Sequence, residues 1–111
     1  MDCIFCRIAG KEIPSKVVHE TENVLVIKDI DPQAPVHLLL IPKAHYPTLL
    51  DCDDTRLFGE IIEAAKDAAK KSGVDKSGFR LTVNTNEEGG QTVFHLHMHL
   101  LGGRALAGKM G

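Results

Sequence analysis

Long apolar runs are missing from this sequence. No stretch approaches the length of a membrane span, and Met1-Asp2-Cys3 does not open a secretory signal. No membrane role is therefore expected, and the expected location is cytoplasmic. An excess of one charge is missing too: 13 Lys and Arg against 15 Asp and Glu leave a net charge of −2. That balance offers neither a nucleic-acid footprint nor a polybasic membrane patch. Cysteine is scarce, with only Cys3, Cys6 and Cys52. An odd count, two of them in Cys-x-x-Cys spacing, argues against a secreted disulfide framework. Linkers, repeats and low-complexity tracts are absent, so residues 1–111 are expected to form one domain.

What is present reads as short strands around one long helix. Residues 4–9 suit a short helix that stops near Gly10, a good residue just past a helix end. Residues 17–19 and 24–27 read as strands around a polar turn, and residues 29–35, with Pro32 and Pro35, as a loop. Val36-His37-Leu38-Leu39-Leu40-Ile41 is nearly all apolar, the mark of a central strand buried on both faces, and Pro42 ends it. A helix is predicted over 54–71, with Leu57, Phe58, Ile61, Ile62, Ala65, Ala68 and Ala69 as its apolar stripe. Asp53 or Asp54 caps it, Lys70 and Lys71 suit its C-terminal end, and Gly73 stops it. Residues 79–84 alternate as a half-buried strand, and residues 86–91 form a glycine-rich loop. Short links favour antiparallel pairing. The expected fold is α+β: one antiparallel sheet of about five strands with one long helix and a short N-terminal helix.

Phe94-His95-Leu96-His97-Met98-His99-Leu100-Leu101 carries the chemistry. On a strand the three imidazoles would share one face, with neighbours spaced roughly 6.5–7 Å apart and Leu96, Met98 and Leu100 beneath. A catalytic metal at all three is disfavoured, because no carboxylate follows His95 within reach and a (β/α)₈ barrel needs more than about 200 residues. Nucleophilic catalysis fits better. A neutral imidazole attacks phosphorus when an acceptor holds the proton on its other nitrogen, and flanking imidazoles contact phosphate or protonate a leaving group. Gly89-Gly90-Gln91-Thr92 just upstream suits an anion through backbone N–H groups and a hydroxyl.

These residues resemble a known family. His95, His97 and His99 with their apolar neighbours match the histidine triad signature, His-φ-His-φ-His-φ-φ, of the HIT superfamily. Asp29-Ile30-Asp31-Pro32-Gln33-Ala34-Pro35-Val36-His37, Ile41-Pro42-Lys43 with His45, and Gly89-Gly90-Gln91-Thr92-Val93-Phe94 match as well. From Cys3 to Arg104 the sequence is similar to the Hint branch, the purine nucleoside phosphoramidate hydrolases. The galactose-phosphate uridylyltransferases carry glutamine at the last histidine; retention of His99 favours hydrolysis over transfer.

The resemblance implies a HIT-like fold and a hydrolase that cleaves the P–N bond of a purine nucleoside 5′-phosphoramidate. His97 is the implied nucleophile, forming a nucleotidyl-histidine. His99 is implied at the α-phosphate and leaving group, His37 as a proton relay near His97, and the His95 carbonyl as the group holding the His97 tautomer. Asp29 is implied at the ribose hydroxyls, Ile30, Phe5 and Leu39 at the purine, and Asn84, Gly90, Gln91 and Thr92 at phosphate and ribose. A cofactor for the chemistry is not implied. Cys3 and Cys6 read better as zinc ligands than as a redox pair, because almost no chain precedes them; bacterial relatives imply His45 and His95 as the other two ligands. Cys52 and His19 have no expected role. A homodimer with sheets joined across the interface is implied, with residues 57–62 of the helix serving core and partner. The tail from Arg104 carries no tryptophan, whereas the resemblance implies, for many relatives, a longer tail with an aromatic that reaches the partner's site. The rivals are a Fhit-like dinucleoside polyphosphate hydrolase and a zinc-stapled nucleotide-binding scaffold.

Overall fold

Helix α1 (Ile4–Ala9) starts where the Cys3 Sγ accepts the Cys6 backbone N–H. The computed structural model describes residues 3–109; Met1 and Asp2, read for a signal, and the tail's Met110 and Gly111 lie outside them. Strands β1 (Val17–Glu20), β2 (Val24–Lys28) and β3 (Val36–Pro42) follow, then helix α2 (Thr55–Lys71), β4 (Phe79–Thr82) and β5 (Met98–Gly102). All pairings are antiparallel, in the order β1-β2-β3-β5-β4. Among the described residues no helix is long and apolar enough to cross a membrane.

Side-chain alternation sorts the sheet into two faces. Val24, Val26, Leu38, Leu40 and Leu100 point to one face and are buried under Leu57, Ile61, Ala64, Ala65 and Ala68 of α2. Four alanines at 64, 65, 68 and 69 let the helix lie close on the sheet. Asp54 caps it by accepting the Leu57 N–H at 3.2 Å, and Gly73, at φ +73°, reverses the chain after it. Leu25, Ile27, Leu39 and Ile41 point to the other face, where Phe5 and Ile8 of α1 cover them. Truncating a wholly buried leucine such as Leu40 to alanine costs about 2–5 kcal/mol. His37 and His99 share the α1 face, since Leu39 pairs with His99 and His37 with Leu101.

The histidine stretch departs from its expected geometry. Strand β5 begins only at Met98, so His95 and His97 precede it and the three rings do not form one row. The β3–β5 ladder stops at the Leu40–Met98 pair. Pro42 has no N–H with which to extend it, and the Leu96 N–H instead donates to the Tyr46 carbonyl at 2.6 Å. Residues 79–84 are likewise a strand only to Thr82.

Candidate active site and metal centre

Leaving the ladder lets consecutive histidines turn in different directions. The His97 Nδ1 lies 2.8 Å from the His95 carbonyl oxygen. A carbonyl only accepts, so Nδ1 carries the proton and the His97 Nε2 keeps its lone pair. Phe5 meets the His97 ring edge-on at 5.0 Å between centroids, and the His99 ring stands at 5.1 Å. The His99 Nδ1 lies 2.9 Å from the His37 Nε2. The Gln33 backbone N–H donates to the His37 Nδ1 at 3.0 Å, so neutral His37 carries its proton on Nε2 and donates it to His99. His99 is then left protonated on its own Nε2. Burial, followed by the neighbouring His97 and His37 rings, holds His99 down to about 4. His37 thus bonds His99, whose ring stands beside His97. Asp29 stands behind His37, its Oδ2 3.4 Å from Nε2 and its Oδ1 accepting the Asp31 N–H.

The His95 ring faces away from this set. Its Nε2–H donates to the Pro42 carbonyl at 2.7 Å, which leaves Nδ1 as a lone pair aimed at a second cluster. That nitrogen lies 3.3 Å from the Cys3 Sγ, 3.5 Å from the Cys6 Sγ and 3.1 Å from the His45 Nδ1. His45 Nδ1 and Cys6 Sγ are 3.3 Å apart. A tetrahedral site with ordinary Zn–N and Zn–S bonds has edges of roughly 3.3–3.8 Å, so the four donors fit a metal of that kind. The Pro42 carbonyl is the outer partner that orients a ligating imidazole. Burial pushes the Cys6 thiol up and the adjacent Cys3 adds to it, a penalty that a cation between them would reverse.

A groove of about 720 Å³ runs beside α1, lined by Ile4, Ile8, Ile13, Ile27 and Ile30 together with Lys16, Lys28 and Asp29. Ile30 is 101% exposed, so it packs on nothing in the chain itself. Phe5 and Leu39 do not line it; both are buried in the cluster they share with Ile8 and Ile27. The glycine-rich loop is braced internally: the Gln91 Nε2 donates to the Pro47 and Val93 carbonyls and its Oε1 accepts the Asn86 N–H. Gly89 lies so close to the Thr85 backbone that a Cβ has no room there, and Gly90 sits at φ +81°. Thr92 is exposed. Among the described residues no hydrogen bond links Asn84, Gly90, Gln91 or Thr92 to the histidines, and the Gln91 side chain is already committed to bracing.

A family model described as HIT domain matches residues 10–106. The chain belongs to the HIT family. It is 44% identical over 107 residues to the purine nucleoside phosphoramidase of Escherichia coli K12, covering 95% of this chain and 90% of that one. A relative from Brassica juncea named a 14 kDa zinc-binding protein is 44% identical over 109 residues, covering 95% and 96%. The crystal structure of a HIT family hydrolase from Legionella pneumophila superposes with a TM-score of 0.95 at 47% identity, over 99% of this chain and 100% of that one. The expected enzyme class, a HIT-family hydrolase, stands on this membership, and the expected sheet with its two helices is the HIT fold.

Within this HIT domain the structure gathers His37, His97, His99 and Asp29 into one centre, and Cys3, Cys6, His45 and His95 into a second. Cys52 is buried under α2, and His19 accepts from the Lys71 Nζ at 2.7 Å. Ile4, Ile8 and Ile13 line the groove without having been marked by the sequence; isoleucines four apart on a six-residue helix read equally well as core. Gln33 acts through its backbone N–H, which leaves no sign in the sequence.

Proposed function

We propose that this HIT-family hydrolase cleaves the P–N bond of purine nucleoside 5′-phosphoramidates through a nucleotidyl-histidine at His97. The observation that carries the reading is the His97 Nδ1–H bond to the His95 carbonyl, which frees Nε2 as a nucleophile beside a neutral, proton-bearing His99. The His97 Nε2 attacks the α-phosphorus and the P–N bond breaks. The departing nitrogen takes the proton from the His99 Nε2 as one from solvent replaces it, so the His37–His99 pair stays neutral, and leaves as an amine. Water then attacks phosphorus, gives up its proton to solvent, and breaks the P–Nε2 bond to release the nucleoside monophosphate. The isoleucine groove suits a purine, and Asp29, which also lines it, suits ribose hydroxyls, a pair of donors on an acceptor-only group. Support for the substrate class also comes from the phosphoramidase relative.

Zinc held by Cys3, Cys6, His45 and His95 belongs to the same proposal; with four protein ligands it is structural and supplies no catalytic step. The zinc-binding relative supports it. We further propose one HIT domain over residues 1–111, a cytoplasmic setting consistent with three free thiols, and a homodimer. β4 is an edge strand whose outer backbone is open to a partner, and α2 carries the half-buried Phe58 and the 40% exposed Ile62. Size measurement in solution decides this: a monomer overturns the dimer.

The test of the reaction is AMP release from adenosine phosphoramidate by the wild type and by His97→Ala. Loss by several powers of ten is expected when the nucleophile is removed, and undiminished release sinks the assignment. Faster turnover of diadenosine polyphosphates than of the phosphoramidate would favour the Fhit-like alternative. Nucleotide binding without turnover of either would favour a scaffold.

A further inference from the structure

We infer that Arg104 is a positioning residue for the histidine centre, acting through the Gln33 backbone to hold the tautomers of His37 and His99. The inference rests on the phosphoryl-transfer reading above and adds a residue outside the site. Arg104 follows β5, and its Nη2 donates to the Gln33 carbonyl at 3.0 Å. Its Nη1 donates to the Ala105 carbonyl at 3.1 Å, which fixes the plane of the guanidinium. Gln33 is also the residue whose N–H donates to the His37 Nδ1. One guanidinium therefore holds Gln33 by its carbonyl, one Cα away from the N–H that decides which His37 nitrogen carries a proton, and His37 in turn decides which His99 nitrogen does.

The chain is shaped to bring Arg104 to this place. Gly103, at φ +89°, lies flat on the proline loop: a Cβ there would sit 2.9 Å from the Pro35 Cβ. Only glycine adopts that conformation in that space without strain. The segment after β5 is a strap across residues 32–35, fastened at Pro35 by contact and at Gln33 by hydrogen bond. Without the strap, residues 29–35 are tied by the Asp29 N–H to the His37 carbonyl, by the Asp29–Asp31 turn and by the Gln33 Nε2–H to the Asp31 carbonyl, none of which holds the Gln33 backbone carbonyl.

The same tautomer argues against a different use of these groups. Asp29, His37 and His99 are close enough together to suggest a cation site. With the Gln33 N–H on the His37 Nδ1, however, His37 Nε2 is a donor and offers no lone pair to a metal. The geometry serves a proton, held one bond away from where the leaving group needs it.

The experiment compares wild type, Arg104→Ala, Arg104→Lys and Arg80→Ala. Arg80 is the control, since its Nη2 holds the tail at the Ala107 carbonyl without touching Gln33. Imidazole ¹⁵N spectra of the substrate-free protein at neutral pH read the tautomers directly. We expect His37 and His99 both protonated on Nε2 in the wild type and in Arg80→Ala, and mixed tautomers in Arg104→Ala. Turnover of adenosine phosphoramidate should show kcat lower by about tenfold in Arg104→Ala with KM within about twofold, part of the roughly 10²–10⁴ that positioned proton transfer supplies. Arg104→Lys, which keeps a donor, and added guanidinium with Arg104→Ala should restore most of both signals. Wild-type spectra in Arg104→Ala, or a kcat loss that Arg80→Ala matches, overturn the inference. The tautomer readout needs no substrate. A wild type inactive on the phosphoramidate would therefore refute the proposed reaction and leave the positioning result standing.

Discussion

Ile30→Ala separates binding from folding more cleanly than any other change in this site. Ile30 is fully exposed in the free protein, so its removal leaves no cavity, and stability should move by less than about 0.5 kcal/mol. If a purine lies in the isoleucine groove, it covers one side of the Ile30 side chain. Full burial of an isoleucine is worth about 1.5–3 kcal/mol. Covering one side, with the alanine Cβ retained, puts the loss near 1 kcal/mol, or about fivefold in affinity. The base does not change between ground state and transition state, so the loss should fall on KM and leave kcat alone. Steady-state AMP release from adenosine phosphoramidate gives both constants, and urea unfolding gives the stability. Ile30→Leu should stay near wild type. An unchanged KM, or a fall in kcat at constant KM, would refute the assignment of this groove to the base.

Two further outcomes follow from the same geometry. A metal at about 100 times its Kd adds about 2.7 kcal/mol, which is about 10 °C or more for a domain of this size. Chelation should therefore lower the wild-type Tm by that order, while the Cys3→Ser/Cys6→Ser protein should start low, contain no zinc by metal analysis and ignore the chelator; a chelator-insensitive wild type defeats the metal centre. For pH, His99 is held to about 4 against 6.5 in the unfolded chain, so between those values the unfolded state binds more protons than the native one. Its part of the stability is whole above pH 6.5 and is lost as pH falls toward 4. Urea midpoints should drop over that window less steeply in His99→Phe than in the wild type, and equal slopes would contradict the buried, neutral assignment.

Much of the site is legible in one dimension because its parts are residue types with few bland uses. Three imidazoles at alternate positions, a Cys-x-x-Cys pair and an Asp-to-His segment containing two prolines each narrow the chemistry before any coordinates. The strands and α2 are legible because periodicity reports which side chains meet the core. Alternation alone, however, implied a single row of imidazoles along a strand. That implication failed because the ladder ends at Pro42, a tertiary neighbour 53 positions away from His95. Burial of Phe5 and Leu39, and exposure of Ile30, were equally closed to a local reading, since an isoleucine in a loop and one in a core are the same letter.

What the sequence by itself determined was the family, the α+β fold and the candidate residues of the two centres, because side-chain chemistry and hydrophobic period are local properties. What only the tertiary structure decided was how the histidines divide their work. The His95 ring turned to the thiols while its carbonyl turned to His97, the His37 bond went to His99, and the Gln33 carbonyl was held by Arg104. Those assignments depend on backbone donors and acceptors from distant segments, which carry the same groups at every residue and become specific only when the fold brings them within bonding distance.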